Sequence, residues 1–367
     1  MNAKYTIFII VLLTSCSFSE RSNNILKDKR NTDMDVAKLK SIALDSDSII
    51  WGFVIEDFFE NYFIVLEINN NDCYSIYDLV GTNLKYKGSF LKKGNGPNEM
   101  MHPSCFSDDK LFFVYDYNSM VKSIVTIPHD EICNFFDASI WNKIEMPKMN
   151  QYLIFPSLSK MNDSIFVIAG SKINENNILS SINIDAMEIN KLKYLIPLED
   201  NFNTSNIAKQ MVYCDAKIMR QPRGNKLLYI CNSGRFSKIL SFVNNEVSKE
   251  TSLLNIYPKY FSKDGYNIHF ENECLRGMLA KVTQNKIYLM EIPLTKEDIK
   301  IQKQYKGFPN YFNDELYVYD WDGNLLKKYI LDIPICSFAI DEKNNCFYGM
   351  TINLENGDNV MRKFNFE

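Results

Sequence analysis

The sequence predicts an all-β protein built from six copies of one antiparallel unit, and three observations carry that expectation. A short phrase recurs six times, the segments around it have strand length and strand periodicity, and long amphipathic helical patterns are scarce. The phrase is a polar turn, an Asn or Asp, one linking residue and four mostly apolar residues. It reads Asn61-Tyr-Phe-Ile-Val-Leu66, Asp109-Lys-Leu-Phe-Phe-Val114 and Asp163-Ser-Ile-Phe-Val-Ile168, then Asn225-Lys-Leu-Leu-Tyr-Ile230, Asn285-Lys-Ile-Tyr-Leu-Met290 and Asn345-Cys-Phe-Tyr-Gly-Met350. Successive gaps are 48, 54, 62, 60 and 60 residues. Each copy sits in a larger strand-rich unit. The last unit runs Ser337–Asp341, a turn, Cys346–Met350, a turn at Asn356-Gly357, and Asn359–Phe366. Asp322-Gly323 joins two apolar runs, as the positive φ angles of a tight hairpin require. Leu84–Leu91 alternates between faces, as a half-exposed outer strand should. Four-stranded antiparallel units repeated six times describe a six-bladed β-propeller. Such a ring must close without a long bare sheet edge. The chain ends soon after the third strand of its sixth unit, so a strand within Val36–Leu44 is expected to supply the missing outer one. A pair of packed sheets would not explain six copies of one phrase.

The start of the chain has a different character. Lys4 precedes an apolar run from Ile7 to Leu13, and small polar residues follow, which is the order of a secretory signal. The run is far short of the ~20 residues that span a bilayer. Leu13-Thr14-Ser15-Cys16 resembles the lipobox of bacterial lipoproteins. That resemblance implies cleavage before Cys16, lipidation of its sulfur and a membrane anchor of several acyl chains. Residues 17–34 are polar and charge-mixed and read as a flexible tether. Ser17 is not the aspartate that argues for inner-membrane retention, so the expected location is the outer membrane of a cell envelope, with either leaflet open. The expected division is residues 1–15 signal peptide, 16–34 lipidated tether and 35–367 propeller.

Composition narrows the class. With 367 residues, 46% of them hydrophobic, the chain can bury a large core. The net charge is −4 and no Lys/Arg-rich block occurs, which disfavours a nucleic-acid partner. Eight cysteines follow Cys16, at 73, 105, 133, 214, 231, 274, 336 and 346, and no two have Cys-x-x-Cys spacing. Most lie in apolar strands, so buried free thiols and a monomeric domain are expected.

Lys93-Gly94-Asn95-Gly96-Pro97-Asn98-Glu99-Met100 follows the outer strand of the first unit. It resembles the Gly-x-Gly-Pro-x-Glu motif of Bacteroidetes lipoproteins of the TolB-like or NHL-like six-bladed propeller type. The resemblance implies a fold and an envelope location and very little chemistry. Gly94 and Gly96 permit backbone angles that other residues resist, and Pro97 fixes the turn. Glu99 is expected to cap neighbouring backbone N–H groups, making the segment a structural corner.

In a propeller, the loops from each outer strand to the next unit and those joining second to third strands share one face. Here those loops hold the insertions. Residues 251–273 carry Tyr257, Tyr260 and His269, residues 292–314 carry Tyr305 and Tyr311, and residues 94–103 carry Glu99 and His102. Long aromatic loops serve either as a binding surface or as a lid of packed rings. Arg220 and Arg276, near inner strands, are candidates for a carboxylate or sugar in the central channel.

No catalytic residue is assigned, since no nucleophile elbow, His-Glu-x-x-His helix or phosphate loop occurs. No metal ligand is assigned either, and no cofactor is expected. Asp320-Trp-Asp-Gly-Asn324 leaves calcium open, although it lacks the rest of a calcium-loop ligand set. Two functions follow. The first is a lipid-anchored envelope binding or scaffold protein whose loop face holds a glycan, peptide or envelope protein. The alternative is a metal-dependent hydrolase of the lactonase or esterase kind with its site in the central channel. A channel ringed by Asp, Glu and Asn would favour the hydrolase, and a lining of Tyr, Phe and Arg would favour binding.

Overall fold

The computed structural model describes residues 35–366 apart from 68–70, 97, 117–122, 150–151, 174, 198–203, 272–276, 293–294, 302 and 310. Cys16, Pro97, Cys274 and Arg276, all singled out above, lie outside the described residues.

Three short strands come first: β1 (Val36–Leu39), β2 (Ser41–Ala43) and β3 (Asp45–Ser46). Blade one is β4 (Val54–Phe59), β5 (Tyr62–Leu66), β6 (Asp72–Val80) and β7 (Asn83–Lys92). Blade two is β8 (Pro103–Ser107), β9 (Leu111–Asp116), β10 (Ser123–Pro128) and β11 (Asn142–Glu145). Blade three is β12 (Tyr152–Lys160), β13 (Ile165–Lys172), β14 (Leu179–Asn183) and β15 (Glu188–Lys191). Helix α1 (Asn206–Tyr213) precedes blade four, which is β16 (Ala216–Arg220), β17 (Lys226–Cys231), β18 (Arg235–Val243) and β19 (Glu246–Ile256). A small hairpin, β20 (Tyr260–Phe261) with β21 (His269–Phe270), leads into blade five. That blade is β22 (Met278–Val282), β23 (Lys286–Glu291), β24 (Asn313–Asp320) and β25 (Leu325–Ile335), with helix α2 (Lys296–Lys300) between β23 and β24. Blade six is β26 (Ser337–Asp341), β27 (Cys346–Ile352) and β28 (Asn359–Asn365), completed by β2.

The repeated phrase is the second strand of every blade, and its uniform apolarity has a packing cause. Each second strand is covered on both sides by neighbouring blades, so alternate residues feed two different cores. Phe113 packs with blade three while Phe112 packs with blade one. Leu227 and Tyr229 face blade three, and Leu228 and Ile230 face blade five. The buried apolar residues thus form six clusters, one in each gap between neighbouring blades. The polar residue that opens the phrase fastens the strand end. Asn225 Nδ2 donates to the Phe242 carbonyl at 2.8 Å and its own carbonyl receives the Phe242 N–H at 2.8 Å.

Ring closure follows the sequence expectation and goes further. Strand β2 pairs antiparallel with β28, aligning Ser41 with Phe364 and Ala43 with Arg362. The same segment also adds a fifth, parallel strand to each neighbour: β1 runs beside β25, and β3 beside β7. One twelve-residue strap, residues 35–46, therefore covers the outer edges of blades five, six and one, where unpaired N–H and C=O groups would otherwise invite association.

The cysteines of the described residues are free. Cys73, Cys214, Cys231, Cys336 and Cys346 are buried as expected, Cys105 is half-buried, and Cys133 departs from the expectation by being exposed. Cys133 belongs to a 3-10 turn, Ile132–Phe135, in the loop between β10 and β11, where only Phe135 is buried. Among the described residues, no helix is long and apolar enough to cross a membrane.

Candidate functional site

Two regions of the ring present functional chemistry: the central channel and the loop face around its mouth. The channel is walled by the first strands of all six blades, β4, β8, β12, β16, β22 and β26, around a cavity of about 290 Å³. Inner strands leave one edge without a strand partner, and serine hydroxyls substitute at two blade junctions. Ser337 Oγ receives the Ile55 N–H at 2.9 Å and donates to the Phe53 carbonyl at 2.9 Å. Ser157 Oγ receives the Ile218 N–H at 2.7 Å. These bonds satisfy backbone groups that would be costly to leave unpaired.

Among the described residues, three charged ones line the channel: Glu56 of β4, Lys217 of β16 and Lys281 of β22. Lys281 Nζ crosses from blade five to donate to the Glu56 backbone carbonyl at 2.6 Å. Burial draws the Lys217 ammonium below the ordinary lysine range, Lys281 adds to the effect, and Glu56 and Asp215 oppose it. Cys105 lies on the opposite wall, where burial and then the Glu56 charge push its thiol well up, so it stays protonated. The remaining wall is largely apolar and includes Leu158, Met219, Leu279 and Phe338.

This lining matches neither composition expected from sequence. Two ammonium groups and one carboxylate repel a divalent cation more than they attract it. Among the described residues no three His, Cys, Asp or Glu side chains gather in a metal-ligand arrangement. Arg220 is not in the channel wall. It ends β16 at the face opposite the insertions, where Nε donates to the Gly224 carbonyl at 3.2 Å and Nη1 to the Lys160 carbonyl at 3.4 Å. It closes a turn and links blades four and three.

The other residues singled out from sequence divide between packing and exposure. Glu99 Oε2 accepts the Gly96 N–H at 2.8 Å. A Cβ on Gly94 would meet that oxygen at 2.0 Å, and one on Gly96 at 2.8 Å, so a side chain at either position would displace the Glu99 carboxylate. Glu99 is thus turned inward on its own loop. His102 is exposed, and its N–H faces Asp116 Oδ2 at 3.4 Å. Tyr260 is fully buried, and Tyr257 stacks on Phe236 with centroids 5.1 Å apart. Tyr305 donates its hydroxyl to Asp314 Oδ1 at 2.8 Å, beside the Lys306–Asp314 ion pair, and burial followed by that carboxylate pushes its phenol up. His269 is exposed and stacked on Phe261, with centroids 5.2 Å apart, and Tyr311 is exposed against Phe53 and Phe312. Phe308 and Phe312, from the same insertion, are buried in the gap between blades six and one. The insertions therefore combine both readings, with an inner layer of packed rings and an outer layer in solvent.

That outer layer extends beyond those insertions. On the loop face Trp51 is 53% exposed and Tyr266 61% exposed, and Met101, Leu195, Phe261, Ile301 and Leu354 are exposed with them. The Asp320–Asn324 segment is a hairpin turn in which Asp320 Oδ1 accepts the N–H groups of Asp322 at 2.9 Å and Asn324 at 2.8 Å.

Six four-stranded blades around a central channel, closed by an N-terminal strand, define a six-bladed β-propeller. Residues 32–343 match the TolB-like 6-blade propeller-like family, and the chain belongs to it. No curated protein sequence matches it. Among solved structures, it is similar to a duf4221 family member from Bacteroides vulgatus, at 11% identity and a TM-score of 0.52, covering 90% of this chain and 97% of that one. A putative exported protein from Bacteroides fragilis aligns at 10% identity and a TM-score of 0.49, covering 91% and 99% of the two chains. An auxiliary nutrient binding protein from Bacteroides thetaiotaomicron aligns at 8% identity and a TM-score of 0.46, covering 87% and 70%. At these identities the likeness is one of fold.

Proposed function

We propose that the protein is a lipid-anchored binding or scaffold module of the outer membrane, whose loop face holds a glycan, peptide or envelope protein. The observation that supports this reading is the solvent exposure of Trp51, Phe261, Tyr266 and Tyr311, all on loops of the face that carries the insertions. Exposed rings give large contact area at small entropic cost and stack on sugar faces and peptide side chains alike. Strand β1 aligns Val36 with Lys328, near the start of β25, so the domain begins at the face opposite the insertions.

The test has two arms. Replacing Cys16 with Ser abolishes incorporation of a radiolabelled fatty acid and releases the protein from the membrane fraction; unchanged labelling refutes the anchor. Binding is read on a glycan and peptide array and by crosslinking in intact cells. Wild-type protein captures a ligand that the Trp51→Ala/Tyr266→Ala double variant loses, and capture unaffected by that variant refutes the loop face as the site.

A further inference from the structure

We propose that the central channel is a second binding site, specific for a small solute that bears an oxyanion, either a carboxylate or a phosphate, received by the Lys217 and Lys281 ammonium groups. The argument starts from an imbalance. Two ammonium groups and one carboxylate line a cavity of about 290 Å³ whose wall is otherwise largely apolar. The Lys217 ammonium makes no hydrogen bond or ion pair within the described residues. Lys281 spends a single donor on the Glu56 carbonyl, leaving the others to turn into the cavity. Glu56 lends Lys217 a carboxylate charge but no hydrogen bond, and an ammonium held out of bulk water without an acceptor is expensive. An incoming oxyanion supplies the missing acceptor for both lysines, in an environment where the charge-assisted bonds are strong.

The position of the two lysines is fixed by rigid elements. They project from the inner strands of adjacent blades, β16 and β22, and those strands are held at their far edges by complete four- and five-stranded sheets. At roughly 30 Å³ per water, the cavity has the volume of about ten water molecules, which suits a compact solute and no polymer. Met219 and Leu279, both half-buried, offer a surface for a short hydrocarbon body. The channel site is independent of the loop-face reading and survives its failure.

The experiment is a thermal-melting and calorimetric titration of the full mature chain with sodium phosphate and with sodium butyrate, at ionic strength held constant with sodium chloride. A saturable rise in melting temperature with either anion, absent with chloride, is expected. A response to butyrate alone identifies a carboxylate with an apolar body as the ligand class, and a response to phosphate alone identifies the phosphate class. Lys217→Met and Lys281→Met are each expected to weaken binding at least about tenfold, the scale of one charge-assisted hydrogen bond. Lys217→Arg restores the response, and Tyr266→Ala leaves it unchanged. Absence of a saturable response to both anions overturns the proposal, as does full retention of binding in the two methionine variants.

Discussion

Closure of the ring by the N-terminal strap predicts a sharp contrast between neighbouring residues of one short segment. Leu39 is 3% exposed among Leu331, Tyr329 and Phe338, between blades five and six. Leu44 is 5% exposed among Phe63, Tyr348 and Met361, between blades six and one. Ile42, two residues before Leu44, is 52% exposed because the pairing of β2 with β28 turns it outward. Truncating a buried leucine removes its transfer energy and leaves a cavity, so Leu39→Ala and Leu44→Ala should each cost about 2–5 kcal/mol. Ile42→Ala should change stability by no more than about 0.5 kcal/mol. Urea unfolding followed by the fluorescence of Trp51, Trp141 and Trp321 reads all three. The leucine variants should lower the transition midpoint with an unchanged slope, which marks lost stability and not an altered unfolded state. The strap's contribution is two interblade contacts made by one chain segment, so the double variant tests whether the two gaps report separately. Equal effects of Ile42→Ala and Leu44→Ala would refute the register of β2 and with it the closure.

Three further outcomes follow from particular contacts. Gly94→Ala drives a Cβ into the Glu99 carboxylate and should cost about 1–3 kcal/mol, whereas the same substitution in a Glu99→Ala background should cost much less, a non-additivity read from a double-mutant cycle. Burial raises the Glu67 carboxyl above its ordinary value of 4.5, with Ser75, Lys93 and the Gly52 N–H pulling the other way. Its folded form holds the proton more tightly than the unfolded form, so this residue's contribution is favourable in acid and is lost as pH rises above about 4.5. Glu67→Gln should flatten that decline in a series of unfolding curves, and a slope identical to wild type would refute it. Among the described cysteines, Cys133 should react first with a thiol reagent on the native protein, followed on unfolding by the buried thiols; mass mapping that finds Cys73 or Cys214 modified early would contradict their burial.

Much of this architecture is local and therefore legible in the chain. The six phrases mark second strands because burial on both faces demands apolar residues at every position, a pattern that needs no knowledge of partners. The strap was legible by counting, since a sixth unit with three strands lacks an outer one. Gly94, Gly96 and Glu99 act within one turn, so their spacing alone carries their roles as turn and cap.

The channel was not legible. Ala216-Lys-Ile-Met-Arg220 offers two cations on one strand, and sequence reasoning favoured Arg220. The register of β16 decides otherwise: Lys217 lines the cavity, while Arg220 reaches the end of the strand and serves two backbone carbonyls. Glu56 and Lys281 sit in segments that read as ordinary strands, the first with Asp57 as a second charge. Similarly, Tyr260 and Tyr266 are near neighbours in one aromatic insertion, yet one is core and the other is solvent-facing. The sequence by itself determined the number of blades, the identity of their second strands and the closing strap, because each is a repeated or short-range demand on side-chain type. Only the tertiary structure decided which charged residues share the axis and which rings face water. Those properties arise from strands distant in the chain being brought to a common centre, and no local pattern encodes that meeting.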